Sequence, residues 1–215
     1  IMVQTGPLAG DVELLLDGES AGTYALNRPA EGVATLTLLP KAGGDGTFKT
    51  FSLMTRSNKP VAVLQALVRP LASGVSVMSA GYPGATFSIF DRMDTTGFDQ
   101  SLQSLHPDLL VLGFGTNEGF DDNLSANRYQ QVVTRQLARF KKLLPDTQLV
   151  LIGPPLGARA SQTQECGWQE PPKLVVVRQV QEQLAQSQSI PLWSWAQIMP
   201  QSCAGHQWTL DQPRL

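Results

Sequence analysis

Histidine and cysteine are scarce in this chain, with two of each among 215 residues. The cysteines, Cys166 and Cys203, form no Cys-x-x-Cys pair, and no histidine cluster accompanies them, so a zinc-type site is not expected. Charge is also thin: 16% of residues are Asp, Glu, Lys or Arg, against roughly a quarter in ordinary globular chains. The net charge is −2 and no run of Lys or Arg exceeds two residues, which argues against a basic face for nucleic acid. No apolar run approaches the roughly 18 residues of a membrane span. No internal repeat, low-complexity tract or signal peptide is visible. The chain opens on Ile1 and stops at "LDQPRL" without a closing element, so it reads as a piece of a longer protein.

Apolar residues are plentiful at 42%, enough for a core, and 19 glycines with 15 prolines imply many turns. Both cysteines lie in turn-rich sequence, "ECGWQEPP" and "PQSCAGH". A Cys166–Cys203 disulfide is expected, which implies an oxidising compartment; the alternative is two unrelated free thiols.

Two grammars divide the chain. Residues 1–72 read as β: "DVELLLDG", "GVATLTLLP", "GTFKTFSLMTR" and "PVAVLQALVRP" are short apolar runs separated by turn signals. They predict a small antiparallel β-sandwich or jelly-roll. Residues 73–215 alternate short apolar runs with helical patterns. The runs are "VSVM" (75–78), "LLVLG" (109–113), "LVLIG" (149–153) and "IPLW" (190–193). Between the second and third, Tyr129, Val132, Val133, Leu137, Phe140 and Leu144 share one helical face. Between the third and fourth, "PPKLVVVRQVQEQLAQS" opens on prolines suited to a helix start. Strand, helix, strand, helix predicts a parallel sheet with crossover helices, an α/β fold.

Such sheets bind ligands at the carboxyl ends of their strands. The loops there are "SAGYPGATFS", "FGTNEGFDDN" and "GPPLGARASQ". Gly81 and Gly84 let backbone N–H groups come close to a ligand, at the positive end of a helix expected to begin near Ala85. Asn117 offers an amide donor from the next strand, and adjacent strands lie roughly 4.8 Å apart. A backbone N–H and an Asn amide can therefore converge on one oxygen, the arrangement of an oxyanion hole. Each loop alone is also readable as an ordinary tight turn; the two together point to a site.

"GYPGAT" after one strand and "GFGTNE" after the next resemble the second and third sequence blocks of the SGNH (GDSL-like) hydrolases. The wider order "GTNE-x-F-x-D", "LIGPP", a Cys-bearing loop and "LWSW" is similar to a periplasmic branch related to peptidoglycan O-acetylesterases, in which a β-rich, carbohydrate-binding-like domain interrupts the hydrolase fold. The resemblance implies a flavodoxin-like, three-layer parallel sheet with an additional small β-domain. It implies an acyl esterase acting on an acylated glycan of the cell envelope, in a periplasmic or otherwise exported protein, with no metal or organic cofactor. Gly84 matches the block-two glycine, whose N–H is an oxyanion donor, and Asn117 matches the block-three asparagine, whose amide is the other. Glu118 stands where many relatives have Asp. Tyr82, Glu118 and Trp193 are expected to bind substrate.

The family's Gly-Asp-Ser block and its Asp-x-x-His block have no match here, so nucleophile and base are expected upstream of Ile1 and downstream of Leu215. Substitutes are poor. Ser20 in "LLLDGESAG" has Gly and Asp transposed, and a polar hairpin turn is the better reading. His106 precedes a strand, on the side away from the strand ends. His206 follows the fourth strand, with Cys203 where the Asp should stand. Trp193 and Trp195 alternate at a strand end, either packing or lining a sugar site. Asp121 and Asp122 are candidates to cap the next helix; with Glu118 they lie too close in sequence to flank a sugar as a glycosidase pair. The rival reading, from another class, is a non-catalytic glycan-binding or envelope-assembly protein on the same fold.

Overall fold

Alternating apolar residues make the front of the chain β, and helical periodicity takes over behind them. The computed structural model describes residues 1–38, 50–68, 73–93, 95–162 and 167–199. Its contacts divide the chain into two compact units. One comprises Ile1–Ser79 and Asp94–Leu105, the other Ala80–Met93 and His106–Leu215.

The first unit holds β1 (Met2–Thr5), β2 (Asp11–Leu16), β3 (Glu19–Ala25), β4 (Gly32–Thr35), β5 (Phe51–Thr55), β6 (Val63–Gln65) and α1 (Thr95–Leu105). The strands form two antiparallel sheets, ordered β4-β1-β6 and β3-β2-β5. Val3 from the first sheet and Val12 and Leu14 from the second bury into one cluster with Leu26 and Leu36. β2 and β3 form a hairpin across Asp17–Gly18, and Ser20 lies on β3, opposite Leu15. α1 packs against β4 and β6. A division between residues 72 and 73 would assign α1 to the other unit; the contacts assign it to this one.

The second unit is α/β. It contains β7 (Leu109–Gly113), α2 (Thr116–Gly119), α3 (Ala126–Leu143), β8 (Gln148–Gly153), the two-residue pair β9 (Arg159–Ala160) and β10 (Trp168–Gln169), α4 (Pro172–Gln188), β11 (Leu192–Ser194) and α5 (Trp195–Ile198). β11, β8 and β7 form a parallel sheet in that order. α3 starts at Ser125, whose hydroxyl accepts from the Arg128 N–H, and Lys141 and Lys142 lie in its last turn, where the helix dipole favours cations. Tyr129, Val133, Leu137 and Phe140 bury the face that the periodicity marks. α4 has prolines at its start and packs on α3, β8 and β11 through Leu174, Val177, Val180 and Leu184.

Three expectations need correction. Residues 75–78 form no strand; Val75 and Val77 are 93% and 90% exposed. A parallel strand exists only through its ladder and its two covered faces, and no described residue pairs with this run. The helix after "GYPG" starts at Phe87, not Ala85, and is a five-residue 3-10 turn, Phe87–Asp91, too short to gather a helix dipole on the glycines. Ser125, not Asp121 or Asp122, caps α3.

Candidate functional site

The parallel strands β7 and β8 end in glycine, Gly113 and Gly153, so the chain can turn at once. Beyond β7 the backbone swings through Gly115 at φ 121° into α2. A side chain at Gly115 would run into Val177, Gln181 and Pro154. A crevice of about 210 Å³ opens over these strand ends, lined by Gly113, Phe114, Thr116, Ile152, Pro154 and Trp195 among others. Phe114, in its lining, belongs to an aromatic cluster: Phe87 and Phe114 lie 4.7 Å apart, Phe90 and Phe140 4.9 Å.

The "GYPG" and "GFGTNE" loops meet. The Asn117 side-chain amide donates to the Ala85 carbonyl at 2.8 Å, next to Gly84 in the chain. An amide NH2 has two hydrogens; this bond uses one and orients the other, and Asn117 remains exposed. Gly84 sits at the tip of a turn closed by the Ala85 N–H on the Tyr82 carbonyl, with φ +77° and open space around its Cα. Glu118 points inward. It is 6% exposed, accepts from the Phe87 N–H at 2.8 Å with one oxygen and from the Gly115 N–H at 3.1 Å with the other. The second bond is the Glu half of a capping box. Burial pushes its carboxyl above the usual range, against the opposing pull of the N–H donors. Tyr129 is raised too, by its own burial and then by the Glu118 charge, while the Gln181 amide donates to its hydroxyl at 2.9 Å. Gln181 also donates to the Phe114 carbonyl at 2.9 Å, tying α4 to the loop after β7.

The other expected residues are spread out. Tyr82 is 72% exposed on the Gly84 turn. Trp193 is 41% exposed on β11 and meets Trp195 edge-on at 4.4 Å, but Trp195 is the one that lines the crevice. His106 is exposed at the amino end of β7, away from the crevice. Asp122 pairs with Arg159 at 2.7 Å, and Asp121 accepts from the Asn123 N–H at 3.0 Å, so both carboxylates are engaged locally. Ser20 bonds to Glu13 within the first unit and holds that carboxyl below its usual range, with Arg56 adding to the effect. Cys166, Cys203 and His206 lie outside the described residues. Thr116 was not anticipated, and the signal available for it was its place in the turn after β7; Trp195, read together with Trp193 as packing or lining a sugar site, lines the crevice. Among the described residues no group of acidic, histidine or cysteine side chains could hold a metal ion, and no helix is long and apolar enough to cross a membrane.

A solved peptidoglycan O-acetylesterase superposes on 97% of this chain with a TM-score of 0.69 at 20% sequence identity. The chain shares that protein's fold. It spans 55% of that protein's length. An acetyl xylan esterase aligns with 55% of the chain, at 15% identity and a TM-score of 0.43. No protein-family model matches the chain, and no curated protein matches it.

Proposed function

We propose that the second unit carries the oxyanion half of an SGNH-type serine acyl esterase, a carbohydrate O-acetylesterase acting on an acylated envelope glycan in an exported protein. The observation that carries the reading is the contact of the Asn117 amide with the residue after Gly84 at the carboxyl ends of a parallel sheet. In this reading the carbonyl oxygen of the substrate ester takes the Gly84 N–H and the second hydrogen of the Asn117 amide as its negative charge develops. The crevice is smaller than the roughly 300–1,000 Å³ of a drug-sized site, which suits a short acyl group whose sugar stays outside. Tyr82 and Trp193 offer aromatic faces to that sugar. The serine and histidine come from sequence beyond Ile1 and Leu215, completing a flavodoxin-like three-layer sheet, and the first unit acts as a sandwich-like, carbohydrate-binding insertion.

The test is the longer reading frame, expressed and assayed on an aryl acetate and on O-acetylated peptidoglycan. Acetate release that vanishes with Asn117→Ala at unchanged melting supports the reading. Release of acetate without any dependence on Asn117 removes the oxyanion role. Glycan binding without hydrolysis of any acyl donor returns the protein to the non-catalytic class.

A further inference from the structure

We propose that Glu118 is a positioning residue, a two-ended carboxylate clamp that fixes the Gly84 turn against the Asn117 turn so that their donors meet on one oxygen. This rests on the acyl-transfer reading above. Glu118 was expected to touch substrate, and its side chain is directed the other way. Its two oxygens are engaged on opposite sides of the junction, by Phe87 N–H in the first loop and Gly115 N–H in the second. Its neighbour Asn117 bonds Ala85. Two consecutive side chains on α2, one outward and one inward, therefore grip the same short stretch, Ala85–Phe87. Remove the inward grip and the hydrogen bonding between the loops falls, among the described residues, to the exposed Asn117–Ala85 bond, beside the Phe87–Phe114 ring contact.

The chemistry requires a carboxylate. Ionised, it accepts at both oxygens. A glutamine keeps the shape but turns an NH2 toward one of the two N–H donors, opening one end. An aspartate is one methylene short and cannot reach both. Protonation of Glu118 does what glutamine does, because the protonated oxygen now faces a donor. Burial raises the carboxyl, so the opening falls at a pH above the ordinary glutamate range. Among the described residues, the groups named around it are neutral or already paired. α3 presents Tyr129, kept neutral by its own upward shift. α4 presents Leu174, Val177 and Gln181. In the 3-10 turn, Asp91 is occupied by Arg135 and Gln136, each at 2.6 Å. After α2, Asp122 is paired with Arg159, and Asp121 with the Asn123 N–H.

Two measurements decide it. In the 215-residue chain, the Phe87 and Gly115 amide resonances should titrate together with one midpoint above the ordinary glutamate value, and Glu118→Gln should abolish that titration while circular dichroism stays native. Two amides that titrate apart, or not at all, overturn the clamp without reference to catalysis. In the longer enzyme, Glu118→Gln should lower kcat on an aryl acetate by up to about 10²-fold, the cost of a misplacement of about 1 Å. KM should stay within about twofold, and the acid limb of the wild-type profile that follows the amide midpoint should disappear. Glu118→Ala should be worse than Gln. A wild type inactive on every acyl donor sinks the esterase reading and this inference with it. An active wild type whose Gln variant keeps kcat and the same acid limb sinks this inference alone.

Discussion

Gly115→Ala is the sharpest test of how the loop after β7 is built. The alanine Cβ would stand 2.8 Å from Val177 Cγ1, 3.0 Å from Gln181 Nε2 and 3.1 Å from Pro154 Cδ. Two costs add. A residue other than glycine held near φ 121° carries about 1–3 kcal/mol of backbone strain. Forcing a methyl into a filled site adds about 1–3 kcal/mol more. The sum, roughly 2–6 kcal/mol, is a large share of the 5–15 kcal/mol that holds a typical domain together. At about 2–4 °C per kcal/mol for chains of this size, melting should fall by roughly 10 °C. Gly84→Ala is the control. Its φ is also positive, +77°, yet nothing lies within 4 Å of the added Cβ. Strain alone, about 1–2 kcal/mol, should lower melting by only a few degrees. It also leaves the Gly84 N–H in place, so an oxyanion donor would survive. Thermal melts of both variants, followed by near-ultraviolet circular dichroism, give the comparison. A Gly115→Ala shift no larger than that of Gly84→Ala refutes the packing argument.

Asn117→Ala in the longer enzyme should lower kcat by about 10²–10³, the usual effect of one lost oxyanion donor, with melting barely changed because the bond to Ala85 is exposed. A drop in melting comparable to the activity loss would mark it as structural. Stability should carry the signature of Glu118. Its folded-state pKa is raised above the unfolded value near 4.3, so its contribution is fully present below that pH and is lost as pH rises through the folded pKa. Urea midpoints of wild type minus Glu118→Gln should therefore fall with pH from about 4.3 upward and then level off; a difference that rises with pH contradicts the burial effect. Intact mass without reductant should place Cys166 and Cys203 in one disulfide, two hydrogens short of the free thiols; alkylation of both thiols in the native protein would end that claim.

The parallel sheet was legible because its strands are written twice, as an apolar run and as the turn that ends it. "LLVLG" coincides with β7, and "LVLIG" lies within β8. α3 and α4 were legible from their period. "VSVM" has the same composition and is not a strand, because pairing is a property of a partner and not of the run. α1 was missed: "TTGFDQSLQSL" offers only Phe98, Leu102 and Leu105 as a stripe, and its place follows from β4 and β6. β1 and β3 were missed for want of a strong apolar run. At the site, Asn117 does follow a strand, β7, whereas Gly84 follows a run that forms none and stands on a turn of its own. Glu118, which stands where many relatives of the resembling family have Asp, was expected at the substrate. Adjacent residues on a helix face different ways, and which of them faces the protein depends on Phe87, 31 residues away. Trp193 and Trp195 differ for the same kind of reason: the strand ends between them, and only the second turns over the crevice.

The division of the chain into units has a mechanical consequence. Ala80–Met93, the stretch that bears Gly84, belongs to the second unit, yet the residues before and after it belong to the first. It is a loop whose two anchors are set by a different folding unit. For its 14 residues, counted from Ala80 through Met93, bringing free ends together would cost about 2 kcal/mol in chain entropy. No single backbone cut frees either unit intact, and a truncation after residue 72 leaves α1 behind without the strands it packs on.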